Sequence, residues 1–195
     1  MNNKVCVFET NLNTVYLKNK ILHNEKKIIQ KYPPTDYIGN ITDGQTGLGL
    51  NSLTSRFFHF NVLKWWGTNS LKYWIKKSYN LYTQTENKSI YVQCWANVMR
   101  SGQQIKQHQH SHTYHPYEVS GNLIISSDCS VSTYYNGQPV ENQNGTITLF
   151  PSNLLHWTDQ YVGNDMRVTV AFDIKNYDMW RESVLNDAKQ HWIKI

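Results

Sequence analysis

Ile90-Tyr91-Val92-Gln93-Cys94-Trp95-Ala96-Asn97-Val98-Met99 is the stretch on which the fold turns. Its members Ile90, Val92, Cys94, Ala96 and Val98 alternate with Tyr91, Gln93, Trp95, Asn97 and Met99. That is the period of two expected of a strand. Four further strand-like runs follow: Leu123–Ser126, Ser130–Tyr135, Thr146–Phe150 and Arg167–Asp173. Asn136-Gly137, Asn144-Gly145 and Gly163-Asn164 separate them as turn signals. Short strands at this spacing predict a β-sandwich or barrel.

On the N-terminal side the pattern changes. Residues 1–10 read as a short strand. Val15, Leu17, Ile21, Leu22, Ile28 and Ile29 recur at helical spacing over 15–31, and Tyr32-Pro33-Pro34 stops the run, because the residue before proline avoids the α region. Residues 35–52, with Thr42-Asp43-Gly44, Gly47 and Gly49, are turn-rich and read as an ordered loop or a lid. A second helix is predicted over 61–81, with Trp65, Trp66, Leu71, Trp74, Ile75 and Tyr79 on a broad apolar face and Gly67 as a point of interruption. A third is predicted over 176–193, with Met179, Trp180, Val184, Leu185, Ala188 and Trp192 apolar. The expected organisation is a single domain: a strand and helical support region (1–88), a β core (89–175) and a C-terminal helix (176–195).

The chain has 195 residues, enough for one hydrophobic core. Only 17% of them are charged, and the net charge is +5. The lysines are scattered, with Lys26-Lys27 and Lys76-Lys77 the only adjacent pairs, so nucleic acid is open as a partner but not favoured. Cys6, Cys94 and Cys129 form no close pair, which argues against a disulfide framework and against a zinc finger. The N-terminus lacks an apolar leader pattern, and no apolar run nears the roughly 18 residues of a membrane span. A cytoplasmic location without membrane contact is therefore expected. The aromatic surface of 61–81 exceeds what one buried face needs, which leaves a homodimer contact open.

Chemistry concentrates in His108-Gln109-His110-Ser111-His112, followed by His115 and Glu118. Residues i and i+2 of an extended segment point to one face, so His108 and His110 can offer two imidazoles to one ion. Three ligands on one face with open positions suit a redox metal that binds substrate and O2. His156, after the strand ending in Phe150-Pro151, is the candidate third ligand. A plainer reading of the run is an exposed loop that takes nickel or zinc adventitiously. His112 and His115 read as surface or substrate-side residues, and His23, His59 and His191 as structural. Arg167 and Thr169, at i and i+2 on a strand, can grip a carboxylate together. Taken alone, Arg167 reads as half of a strand-end salt bridge to Asp165 or Asp159. Tyr114, Tyr117, Tyr134, Tyr135 and Trp157 lie near the proposed mouth, and their rings could stack on a substrate. Trp157, next to His156, has the best claim, and Tyr134 reads as packing.

Taken together and in order, Cys94-Trp95-Ala96-Asn97-Val98, Gly102, His108-Gln109-His110, Ser120-Gly121, Gly145, Leu149-Phe150-Pro151-Ser152, His156 and Arg167-Val168-Thr169-Val170-Ala171-Phe172 resemble the iron(II)- and 2-oxoglutarate-dependent oxygenases. Within that superfamily the set resembles a small branch common in marine bacteria and their phages, similar in core to prolyl 4-hydroxylases. The resemblance covers residues 90–175. It implies a double-stranded β-helix, a jelly-roll barrel flanked by helices. It implies Fe(II) held by His108, His110 and His156, and 2-oxoglutarate paired with Arg167 and Thr169, with Asn97 and Tyr91 lining the same pocket. It also implies hydroxylation of a small-molecule or peptide substrate by O2, releasing succinate and CO2.

The wider superfamily carries a carboxylate where this chain has His110, although His-x-His is common in the phage-type branch. Glu118 as the missing carboxylate, and a register shifted to His110 and His112, are two further ligand sets. After Ser120-Gly121 the relatives continue with aromatics, whereas this chain has Asn122-Leu123-Ile124-Ile125. Three-histidine sites also occur in cupins, jelly-roll enzymes that need no 2-oxoglutarate. A cupin-type metalloenzyme and a non-catalytic jelly-roll binding module are therefore the alternative functions.

Overall fold

The computed structural model describes residues 4–34, 47–86, 89–111, 118–127, 131–182 and 191–195. The alternating stretch forms one ten-residue strand, β2 (Ile90–Met99), buried throughout. It pairs along its whole length with β8 (Arg167–Asn176), which sets Asn97 opposite Thr169 and Met99 opposite Arg167. These two strands are the centre of a six-stranded sheet. Beyond β8 come β3 (Val119–Ser126), β6 (Thr146–Pro151) and β1 (Cys6–Glu9), and beyond β2 comes β9 (Ile193–Lys194). A second sheet of three strands has the order β5 (Gln138–Glu141), β4 (Ser132–Tyr135), β7 (His156–Thr158).

Directly opposed residues share a face, so the register of the large sheet sorts its side chains. One face carries Val92, Cys94, Ala96, Val98, Val168, Val170, Phe172, Leu123, Ile147 and Leu149. It belongs to the same core as Leu17 and Ile21 of α1 (Thr14–Lys31) and Leu71, Ile75 and Tyr79 of α2 (Asn69–Thr83). The other face carries Gln93, Trp95, Asn97, Arg167, Thr169, Asp173, Ser120, Asn122 and Thr148, and the small sheet lies over it. The helices thus supply the hydrophobic core, and the polar alternate positions point into the space between the sheets. Each fully buried Leu or Ile contributes about 1.5–3 kcal/mol.

Gly121 marks where this packing is tightest. A Cβ there would stand 2.3 Å from the Phe172 ring and 2.7 Å from Leu149. Gly121→Ala is expected to destabilise the fold by about 1–3 kcal/mol in denaturant unfolding, as overpacking does elsewhere.

Several expectations are corrected. The described strands form two antiparallel sheets flanked by two long helices, with no closed barrel among them. The 61–81 segment is not one helix. A single 3-10 turn (Val62–Lys64) precedes a break, and α2 starts only at Asn69. Gly67 makes the break with φ +80°, a left-handed backbone that favours glycine, beside the Tyr16 hydroxyl. The C-terminal helix is α3 (Tyr177–Glu182) in the described residues, and 183–190 lie outside them. The chain then returns as a strand, with Ile90 and Ile195 exchanging backbone hydrogen bonds of 3.1 and 2.9 Å. That pairing covers an edge of β2 that would otherwise stay open. Two short strands, β5 and β7, were not expected. Asn136 and Gly137, at φ 48° and 85°, have the backbone of a tight hairpin turn that folds β5 back on β4. Among the described residues no helix is long and apolar enough to cross a membrane. Of the turn-rich loop, 35–46 lie outside the described residues.

Candidate metal centre

Two segments distant in sequence build the centre. His108 lies opposite His156 in an isolated antiparallel bridge, with His108 N donating to His156 O at 3.1 Å and His156 N to His108 O at 2.9 Å. Two residues on, His110 N donates to Ser152 O at 2.8 Å. The backbone thus fixes all three histidines on one side. Their ring centroids are 4.2 Å (His108–His156), 5.0 Å (His110–His156) and 5.3 Å (His108–His110) apart. One ligand atom from each lies within 4.8 Å of the others.

The orientation of each ring is also fixed. Nδ1 of His108 lies 2.8 Å from Lys106 O, and Nδ1 of His156 lies 2.9 Å from Leu154 O. A carbonyl only accepts, so both nitrogens carry the proton and both Nε2 lone pairs are free for an ion. Nδ1 of His110 lies 2.6 Å from Asp173 Oδ1, which leaves its Nε2 3.3 Å from that of His108. Two imidazoles sharing an ion at about 2.1 Å subtend about 100° at that separation. The donor set therefore fits one divalent transition metal, with Phe150 (ring centroid 4.7 Å from His156) and Trp95 (5.5 Å from His110) as apolar walls.

Burial pushes the His108 imidazole down to about 4, and its neighbour His110 adds to the shift. Burial, then His108 and His110, holds His156 well below the ordinary range. Both rings are therefore neutral at pH 7, as metal ligation requires. In the window from about 6.5 down to about 4 the unfolded chain binds protons at these positions that the folded chain refuses. The stability they contribute is present above 6.5 and lost on acidification. For His108 alone this amounts to about 3 kcal/mol, so the metal-free Tm is expected to fall by roughly 5–10 °C across the window in a calorimetric pH series.

One layer deeper lies Arg167. It is 1% exposed, and burial holds its guanidinium down at about 10, with Tyr135 and Tyr161 acting in the opposite direction. Nη2 donates to Thr133 Oγ1 at 3.2 Å, while Nε is buried without a partner. Neither expected salt-bridge partner is there. Asp165 pairs with Lys18, and Asp159 accepts from the Tyr134 hydroxyl. Tyr135 links this charge to the metal centre, being an electrostatic neighbour of Arg167 with its ring 6.0 Å from His156. Gln93 Nε2 and Asn122 Oδ1 are also buried without a partner, and both sit on the same interior face as Arg167. Unpaired buried polar atoms are rare in folded proteins, and three on one face line the space between the sheets with unused hydrogen-bonding capacity.

Among the other expected site residues, Thr169 is fully buried on the Arg167 face, where Asn97 donates to it at 3.4 Å and accepts from Thr54 at 2.6 Å. Tyr91 shares the face but stacks on Trp180 at 4.1 Å, six residues or about 20 Å along the strand from Asn97. Trp157 is turned away from the imidazoles. Successive residues of β7 point to opposite sides, so His156 faces inward and Trp157 stacks on Tyr134 at 5.5 Å. Glu118 does not join the metal cluster and pairs with Lys175 at 3.2 Å. His112, His115, Tyr114 and Tyr117 lie outside the described residues. Elsewhere, His59 stacks on Tyr32 and His23 meets Lys27. The residue that the sequence reading missed is Asp173. Its signal was parity, since Arg167, Thr169, Ala171 and Asp173 share one strand face.

No family model matches the chain, and no curated protein matches it in sequence. Solved structures do match in shape. A prolyl hydroxylase from Trichoplax adhaerens, solved with a peptide fragment of the hypoxia inducible factor oxygen degradation domain, superposes with a TM-score of 0.59 at 13% identity, over 94% of this chain and 88% of that one. The viral collagen prolyl hydroxylase of Paramecium Bursaria Chlorella virus-1, in its 2OG complex, gives 0.52 at 9% identity over 88% and 96%. The non-heme alpha ketoglutarate dependent epimerase SnoN of nogalamycin biosynthesis gives 0.55 at 6% over 89% and 78%. At such identities the likeness speaks for the fold. The chain shares its fold with these solved structures, and three of its histidines cluster between the sheets.

Proposed function

We propose that this protein is a metal-dependent oxygenase in which His108, His110 and His156 hold Fe(II) and Arg167 holds the far carboxylate of 2-oxoglutarate. The observation that carries the reading is the buried guanidinium without a carboxylate partner among the described residues. An uncompensated buried charge is strongly unfavourable, so a site that retains one is built for an anion. Thr169 shares the strand face, and Thr133 already orients one nitrogen of the fork. Fe(II) with 2-oxoglutarate and O2 would supply the oxidising power to hydroxylate a small-molecule or peptide substrate, releasing succinate and CO2. The chain's own part is positioning: three imidazoles held by fixed hydrogen bonds, apolar walls beside them, and a buried cation to receive a carboxylate.

A second reading is favoured by the ligand set itself. Three imidazoles, with no carboxylate in the cluster among the described residues, are the donors of a cupin-type metalloenzyme that needs no 2-oxoglutarate. Turnover separates the two. The first reading expects Fe(II)-dependent O2 uptake that requires 2-oxoglutarate and yields one succinate for each molecule consumed. O2 uptake or metal binding indifferent to 2-oxoglutarate, with no succinate, selects the second.

A further inference from the structure

Three imidazole ligands bring no negative charge to offset that of a divalent ion in a site walled by Trp95 and Phe150. Among the described residues, the carboxylate that meets this cluster is Asp173. It stands behind His110, on the side away from the site, with Oδ1 2.6 Å from Nδ1. We propose that Asp173 is the positioning residue of the metal centre, supplying through His110 the negative charge that the ligand set lacks. This rests on the reading of the three histidines as a metal centre.

The geometry is specific to one ring. His108 and His156 are oriented by backbone carbonyls, which carry no net charge. His110 alone is oriented by an acid, and that acid is itself held in place. The Ser120 hydroxyl donates to the same Oδ1 at 2.6 Å and lies 2.9 Å from the Ser152 hydroxyl, while the Ser152 carbonyl receives the His110 amide. Asp173 sits opposite Ser120 on β3, so the contact is set by sheet register, independently of the loop that carries His110. A carboxylate on the outer nitrogen raises the basicity of the ligating one and draws charge towards the ion. Imidazole and acid together then act on the metal as a more anionic ligand than histidine alone.

The probe is Co(II), titrated into the metal-free chain and followed by its visible ligand-field bands. Asp173→Asn keeps the size and an acceptor oxygen but removes the charge. It is expected to weaken Co(II) binding by about 10–100-fold and to shift the bands, with the metal-free Tm little changed. Ser120→Ala, which leaves the acid in place, should cost far less. His156→Ala, short of one ligand, serves as the low-affinity control. Wild-type and Asp173→Asn proteins with equal affinities and identical spectra overturn the role of Asp173 and leave the centre intact. A wild type that binds no more Co(II) than His156→Ala overturns both. If Asp173→Asn lowers the metal-free Tm as far as it lowers affinity and leaves the spectrum unmoved, Asp173 is structural and the proposal fails.

Discussion

His156→Ala is expected to weaken metal binding by a few hundred-fold. A tightly held divalent ion in a protein site is worth on the order of 10 kcal/mol or more, so the loss of one of three ligands costs roughly 3–4 kcal/mol, a few hundred-fold in Kd. Because His108 and His156 exchange backbone rather than side-chain hydrogen bonds, the bridge that carries the other two histidines survives the substitution. The variant should therefore fold, and its circular dichroism should match the wild type. It should also lose part of the acid sensitivity of the metal-free protein, since one buried imidazole that must be protonated on unfolding is gone. Metal titration with a chromophoric chelator as competitor, alongside thermal melts at pH 7 and pH 5, reads both effects.

Arg167→Met is expected to separate binding from stability in the opposite way. The guanidinium is fully buried and donates a hydrogen bond to Thr133 Oγ1. Replacement of such a charge by an apolar side chain of similar length is commonly neutral or stabilising, so the Tm should hold or rise. Affinity for 2-oxoglutarate should fall by at least about 100-fold, since two charge-assisted hydrogen bonds at about 1.5–3 kcal/mol each are lost. Metal affinity should stay within a few-fold, because Arg167 touches none of the three histidines. Calorimetric titration of 2-oxoglutarate into the metal-loaded protein is the check. If Arg167 were a structural group, the Tm would fall and 2-oxoglutarate binding would not respond.

What the sequence disclosed follows from periodicity. β2 was legible because ten residues alternate without a break, and α1 because its buried positions recur at helical spacing and Pro33 ends it. His108 and His110 were legible as an i, i+2 pair, and His156 as a third ligand from its place after Phe150-Pro151. The backbone bridge that sets His156 opposite His108 across 48 residues of chain is a tertiary fact that no local pattern encodes. β7 is three residues long, too short to show alternation, so the sequence did not disclose that Trp157 stacks on Tyr134 while His156 faces the other way. Gly67 signalled a break within 61–81, but not that the α-helix would wait until Asn69. Asp173 was hidden for the same reason as the bridge. Its partners His110 and Ser120 lie 63 and 53 residues away, and only the sheet register brings them together.

The most direct test of the account is the anaerobic visible difference spectrum of the protein on addition of Fe(II) and then 2-oxoglutarate. The account predicts a metal-to-ligand charge-transfer band that appears only after the second addition, is absent in His156→Ala, and requires far more 2-oxoglutarate in Arg167→Met. Iron binding with no band at saturating 2-oxoglutarate would contradict it and leave a three-histidine metal site that serves some other chemistry.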